Sequence, residues 1–206
     1  DWITIFLLII FTLSTILYRT KRHQFVMLLS FWSSRNYFNI YDKEKYTNPL
    51  HLFNAILIFI TLFTFSILGY FFYDIILLSI FGKISFFSFF LVLTSMVTAR
   101  YGILRLTFRV SGHAELYKQI VFRSLNFYGL VSLYGLFFFS FYHYSFITES
   151  NLLLLIIILI ICSIYISHLI IYLKIIRTNP NYLVYLILYI CAFKIAPWLW
   201  LYRSIF

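Results

Sequence analysis

The chain has 206 residues, of which 63% are apolar, 23% aromatic and only 11% charged. A water-soluble domain of that size needs far more polar surface to stay dissolved, so lipid is the expected solvent. The formal charge of +10 is read as topological rather than as a nucleic-acid surface, because Lys and Arg gather in the cytoplasmic loops of membrane proteins.

The first membrane span is expected over residues 2–18, closing on the basic run Arg19, Lys21, Arg22 and His23. No small-x-small cleavage site follows it, so it is expected to be retained, and the start on Asp1 instead of Met carries the expectation of residues upstream. Residues 24–41 mix Phe25, Leu28, Leu29, Phe31 and Trp32 with Ser33, Ser34, Arg35 and Asn36, the pattern of an interfacial amphipathic helix. Pro49 then leads into a second span over 50–73, and the short apolar piece from Asp74 to Lys83 is expected to be interfacial or re-entrant. The third span, 84–108, exits through Arg100, Arg105 and Arg109, and Gly112 allows a helix break. His113 to Arg123 is a polar, helix-compatible stretch feeding a fourth span over 124–146. The turn at Thr148 to Asn151 precedes span five, 152–176. Pro180 between two Asn residues marks the turn before span six, 182–205. Runs such as Leu152 to Ile161 are apolar on every side, which excludes the alternating strands of an outer-membrane barrel.

The fold class is therefore all-α: one polytopic integral membrane helical bundle over 1–206, with about six transmembrane helices plus an interfacial amphipathic helix. Orientation follows from charge. Of the 16 Lys and Arg residues, 13 lie in the connectors after spans one, three and five, while Lys83 and Arg203 lie on the other side and Lys194 inside a span. That bias places three basic loops in the cytoplasm and both termini in the periplasm of a Gram-negative host.

Chemistry-bearing residues are few. Lys194 falls midway along span six, where a cation is disfavoured by roughly 2.5–3.5 kcal/mol and needs a partner or a cavity. Pro197, three residues on, frees the carbonyl of Phe193 from the helix ladder, so a kink beside a buried cation makes a candidate intramembrane polar site. The bland alternative is that Lys194 snorkels to a headgroup layer. Arg100, Arg105 and Arg109 are candidate contacts for anionic lipid or ligand, or simply the inner anchor of span three. His113 and Glu115 alone make a weak metal pair, and His51, His143 and His168 lack i, i+4 pairing. Cys162 and Cys191 read as small packing residues. Gly69, Gly102, Gly129 and Gly135 are positions for close helix approach, without a G-x-x-x-G pair. No G-x-S-x-G, P-loop or paired carboxylates occur, so neither an enzyme nor a cofactor is expected.

Two stretches carry a resemblance. The opening Asp1-Trp2-Ile3 with the later Arg35-Asn36-Tyr37-Phe38-Asn39, and the closing Leu186 to Phe206 (LILYICAFKIAPWLWLYRSIF), resemble a Bacteroidota family of integral membrane proteins labelled domain of unknown function 4271. The resemblance implies an inner-membrane protein and no particular activity. That family commonly carries an acid where Lys194 stands, so a proton or ion role does not carry over to this position. The expected function is a non-enzymatic inner-membrane subunit of a larger envelope complex serving secretion, motility or glycan assembly. Its expected partners are membrane lipids and other inner-membrane subunits. The alternative is a small transporter or lipid-handling protein that binds an anionic ligand near Lys194 and the basic loops.

Overall fold

A computed structural model describes residues 2–30, 37–41, 51–74, 85–110, 112, 114–144, 155–166 and 169–170. All of its regular structure among these residues is helical: α1 Trp2–Thr20, α2 Arg22–Leu29, α3 Tyr37–Tyr41, α4 Leu52–Phe72, α5 Phe86–Val110, α6 Ala114–Tyr144 and α7 Leu155–Ile166. Four of them, α1, α4, α5 and α6, are long and apolar enough to cross a membrane. In hydrocarbon an unpaired backbone amide or carbonyl costs several kcal/mol, and a helix satisfies these groups within the segment itself. The chain divides into two compact units, Asp1–Ile164 and Tyr165–Phe206. Of the second, only Tyr165, Ile166, Leu169 and Ile170 are described. Span six, the rest of span five and the segment between Ile75 and Ile84 lie outside the described residues.

Local chemistry sets the helix ends. α1 stops where Lys21 leaves helical geometry at φ −139° and ψ 54°, and Arg19 in its last turn suits the negative end of the helix dipole. α4 starts after His51, which is extended at φ −60° and ψ 135° and lies two residues beyond Pro49. Ser85 caps α5, its hydroxyl accepting the Ser88 amide at 3.2 Å. The α5 break falls at Gly112, whose φ of +76° is left-handed and whose amide donates to the Arg109 carbonyl at 3.2 Å.

Ring and side-chain pairs fix the helix directions. Leu57 meets Gly129, the Thr61 and Ser132 hydroxyls are 3.5 Å apart, and Phe71 meets Phe139 with ring centroids at 5.1 Å. Both numbers rise together, so α4 and α6 run parallel. α5 runs the other way: Tyr70 meets Phe86, Phe63 meets Phe90, and Phe108 meets Tyr117 of α6. α1 shares the direction of α5, with Phe6 beside Phe63 and Phe86 near its start and Tyr18 beside Phe25 near its end. Down, up, down, up is the order of α1, α4, α5 and α6.

α6 forms the centre of the first unit. Over half of its most apolar window, 56%, is buried, against 6% for α5. Close packing depends on missing side chains: a Cβ on Gly129 would stand 2.5 Å from Leu57 Cγ, and Gly69 and Gly135 are similarly crowded by Phe89 and Ile160. Gly102 differs, with nothing within 4 Å of where its Cβ would be, so three of the four expected glycines serve helix approach. Where one interfacial helix was expected over 24–41, the described residues form two, α2 and α3. Their apolar residues Phe25, Leu28, Tyr37, Phe38 and Tyr41 are buried: Phe25 meets Tyr18 of α1, while Tyr37 and Phe38 meet α6 at Asn126, Phe122 and Phe127.

Candidate functional site

Lys194 and Pro197, the expected intramembrane site, lie outside the described residues. Arg100, Arg105 and Arg109 all lie on α5, but they do not share a face. Arg100 is half-buried with its Nε enclosed, on the inward side that also carries buried Leu104 and Phe108. Arg105 and Arg109 are exposed. Spacing explains the division: positions 100, 104 and 108 recur at the helical period, whereas 105 and 109 fall on the other side.

Three helices place the cation that borders their apolar stretch at one level. The rings of Phe6 and Phe86 are 5.1 Å apart. From there Arg19 is 13 residues along α1 and Arg100 is 14 along α5, roughly 20 Å in each case at about 1.5 Å per residue. The Tyr101 hydroxyl lies 3.4 Å from Ser124 Oγ, which brings Arg123 of α6 to the same level. Aromatic side chains accompany these cations: the Arg123 guanidinium sits 5.8 Å from the Phe38 ring centroid, and that of Arg22 5.5 Å from Tyr18, as favourable cation–π geometry requires.

Beside this basic collar lies a buried polar group that spans three helices. Tyr37, Asn126 and Gln24 are 0%, 0% and 3% exposed. The Tyr37 hydroxyl donates to Asn126 Oδ1 at 2.6 Å, Asn126 Nδ2 donates to the Phe122 carbonyl at 2.8 Å, and Gln24 Nε2 reaches the Tyr37 oxygen at 3.5 Å. At the edge of the group the His23 Nδ1 and Tyr41 hydroxyl are 2.8 Å apart. Further along α6, the Tyr134 hydroxyl donates to the Leu29 carbonyl at 3.0 Å. The Gln24, Tyr37, Asn126 and Tyr134 contacts all join uncharged groups. Their chemistry is to hold α2 and α3 on α6, since an unmade hydrogen bond in an apolar interior costs more than a made one gains.

Sequence reasoning did not single out this group. Tyr37 entered only within the Arg35–Asn39 stretch that carries the family resemblance, and Gln24 only as a boundary. The signal that was present is Asn126, an amide inside the apolar fourth span, where a polar residue marks a helix contact or a functional position.

The remaining candidates stay apart. His143 stacks on Phe139 at 6.0 Å, His51 stands before α4, and Cys162 is an exposed thiol. His113, His168 and Cys191 lie outside the described residues, and Glu115 is in the first turn of α6. Among the described residues no three of His, Cys, Asp and Glu come together to hold a metal ion. An apolar recess of about 170 Å³ between α4 and α7, lined by Phe65, Leu68, Gly69, Phe72 and four Ile residues, offers no polar chemistry.

No curated protein and no solved structure matches this sequence. The family model described as domain of unknown function (DUF4271) matches residues 3–205. The match covers both the Arg35–Asn39 stretch and nearly all of the closing segment, and with it nearly the whole chain: this protein belongs to the DUF4271 family.

Proposed function

We propose that the protein is a non-enzymatic, six-span subunit of an inner-membrane complex of the bacterial envelope, in a Bacteroidota host, with basic connectors in the cytoplasm and both termini in the periplasm. Secretion, motility and glycan-assembly machineries are the classes of complex it fits. The observation that carries the reading is α5. This helix is apolar enough to cross a membrane, yet only 6% of its apolar window is buried. Its exposed side sets Ser88, Ser95, Thr98 and Gly102 among Phe87, Leu91 and Met96. In lipid, small and hydroxyl-bearing residues on an outer helix face let another helix approach closely. The common level of Arg19, Arg100 and Arg123 supports the orientation, because cations gather at the cytoplasmic border.

The test is purification from the native host in lipid nanodiscs, with quantitative mass spectrometry. Co-purifying membrane proteins at fixed stoichiometry are expected, and their loss on Gly102→Leu, with the chain still folded, places the contact on α5. A lone monomer from every mild extraction sinks the proposal.

A second reading, a small transporter or lipid-handling protein with an anionic ligand near Lys194 and the basic loops, is favoured by the inward side of Arg100. It expects thermal stabilisation by phosphatidylglycerol over phosphatidylcholine that Arg100→Gln weakens and Arg105→Gln does not.

A further inference from the structure

α5 carries one line of exposed apolar residues along its length. Val92, Met96, Ala99, Ile103, Leu106 and Val110 are separated by 4, 3, 4, 3 and 4 residues, the alternation that keeps side chains on one helix face towards a neighbouring helix. All six are exposed. Leu104 and Phe108 between them are buried, Phe108 against Tyr117 of α6, so the line faces away from α6.

Within the bilayer an outward Val or Met needs no protein neighbour, because lipid tails are equally apolar. Past Arg100 the same line has no such explanation. Leu106 stands about 9 Å and Val110 about 15 Å beyond that cation at roughly 1.5 Å per residue, whereas the headgroup layer on one side of a bilayer is about 5–7 Å deep. α6 accompanies α5 over this stretch, the Tyr117 hydroxyl donating to the Tyr101 carbonyl at 3.4 Å. On the outer side of the pair, Leu106 is 64% and Val110 89% exposed.

Charge names the occupant. Ser88, Ser95, Gly102 and Arg109 recur every seven residues along one edge of the line, so that edge is narrow within the bilayer and cationic beyond it. Between residues 101 and 123 the only acid is Glu115, against Arg105, Arg109, Lys118 and Arg123. A second copy of this chain would bring two such cationic edges together, a like-charge contact that disfavours the pair. An acidic helix is complementary.

We propose that the line seats a helix of another subunit, which crosses the membrane beside α5 and continues for about three turns into the cytoplasm as an acidic amphipathic helix, its carboxylates against Arg109. This helix comes closest at Gly102, where nothing lies within 4 Å of the place of a Cβ. The inference rests on the subunit reading above and on the border set by Arg19, Arg100 and Arg123, and adds the chemistry of the partner.

The test uses the full chain with Cys162 and Cys191 replaced by Ser, expressed in the native host. Met96→Cys, Leu106→Cys and Val110→Cys variants each carry a thiol-linked benzophenone in isolated membranes. After illumination, the cross-linked peptides are sequenced by mass spectrometry. Leu106 and Val110 adducts are expected on one other protein, within an acid-rich peptide whose apolar residues alternate at spacings of three and four. Met96 adducts are expected on an apolar span of the same protein. Arg109→Glu, at an exposed side chain, is expected to lower the Leu106 and Val110 yields several-fold and to leave the Met96 yield unchanged. Adducts of Leu106 and Val110 with lipid, with this chain itself or with a neutral or basic peptide overturn the inference, as do yields that Arg109→Glu does not change. A Met96 adduct on another protein then keeps the subunit reading while the acidic helix falls. Absence of protein adducts at all three positions overturns both.

Discussion

At the scale of single residues, the feature that distinguishes this bundle from a stack of apolar helices is the Tyr37–Asn126 hydrogen bond at 2.6 Å. Both side chains are fully enclosed, so deleting one partner strands the other where no water replaces it. Tyr37→Phe keeps the ring contacts with Phe38 and Tyr41 and removes only the hydroxyl. It is expected to cost about 1–3 kcal/mol, the desolvation penalty of the orphaned amide oxygen. Reversible unfolding in mixed micelles by SDS titration measures the loss, and an unchanged stability would show that this hydrogen bond does not hold α3 on α6. Asn126 was visible in the sequence as an amide in an apolar run. Its partners were not, because Tyr37 is 89 residues away and no periodicity links a connector to a distant helix.

Among the elements, the long helices were the most legible part. α4 and α5 fall within about two residues of the spans read from hydropathy, and Gly112 ends α5 as its backbone freedom allows. Helix continuity was less legible. Residues 114–123, expected as a polar stretch feeding span four, and residues 124–144 of that span are one helix, α6, since polar residues are compatible with helix on either side of a membrane border. Within 24–41 the described residues form two helices, α2 and α3, whose Phe25 and Tyr37 are buried against different partners, Tyr18 of α1 and Asn126 of α6, a division that one amphipathic face does not predict. The glycines separate helix contacts in the same way. Gly129→Ala is expected to destabilise by about 1–3 kcal/mol through overpacking against Leu57, while Gly102→Ala, with open space around it, is expected to be neutral or slightly stabilising. Thermal unfolding of both variants in one detergent checks the contrast, and a Gly102→Ala loss as large as that of Gly129→Ala would remove it.

For the whole molecule, the parallel pair α4 and α6 and the opposed pair α1 and α5 bring Arg19, Lys21, Arg22, Arg105, Arg109, Lys118 and Arg123 to one end of the first unit. Single cysteines in a background without Cys162 and Cys191 test this threading. Lys21→Cys and Val110→Cys are expected to react with an impermeant maleimide only from the cytoplasmic face, and Ser85→Cys and Tyr144→Cys only from the opposite one. Reaction of Lys21→Cys and Tyr144→Cys from the same face would break the alternation.

The sequence by itself determined the solvent, the helical class, the places where four long helices run and the bias of charge, because each depends on composition and on neighbours within a turn or two. Tertiary structure alone decided that Arg100 stands apart from Arg105 and Arg109, that the described residues leave α5 largely uncovered, and that Tyr37 of α3 and Gln24 of α2 meet at Asn126 of α6. These outcomes depend on which faces meet, and in an almost uniformly apolar chain hydropathy marks no preferred face. Steric fit at glycines and a few buried hydrogen bonds make that choice instead.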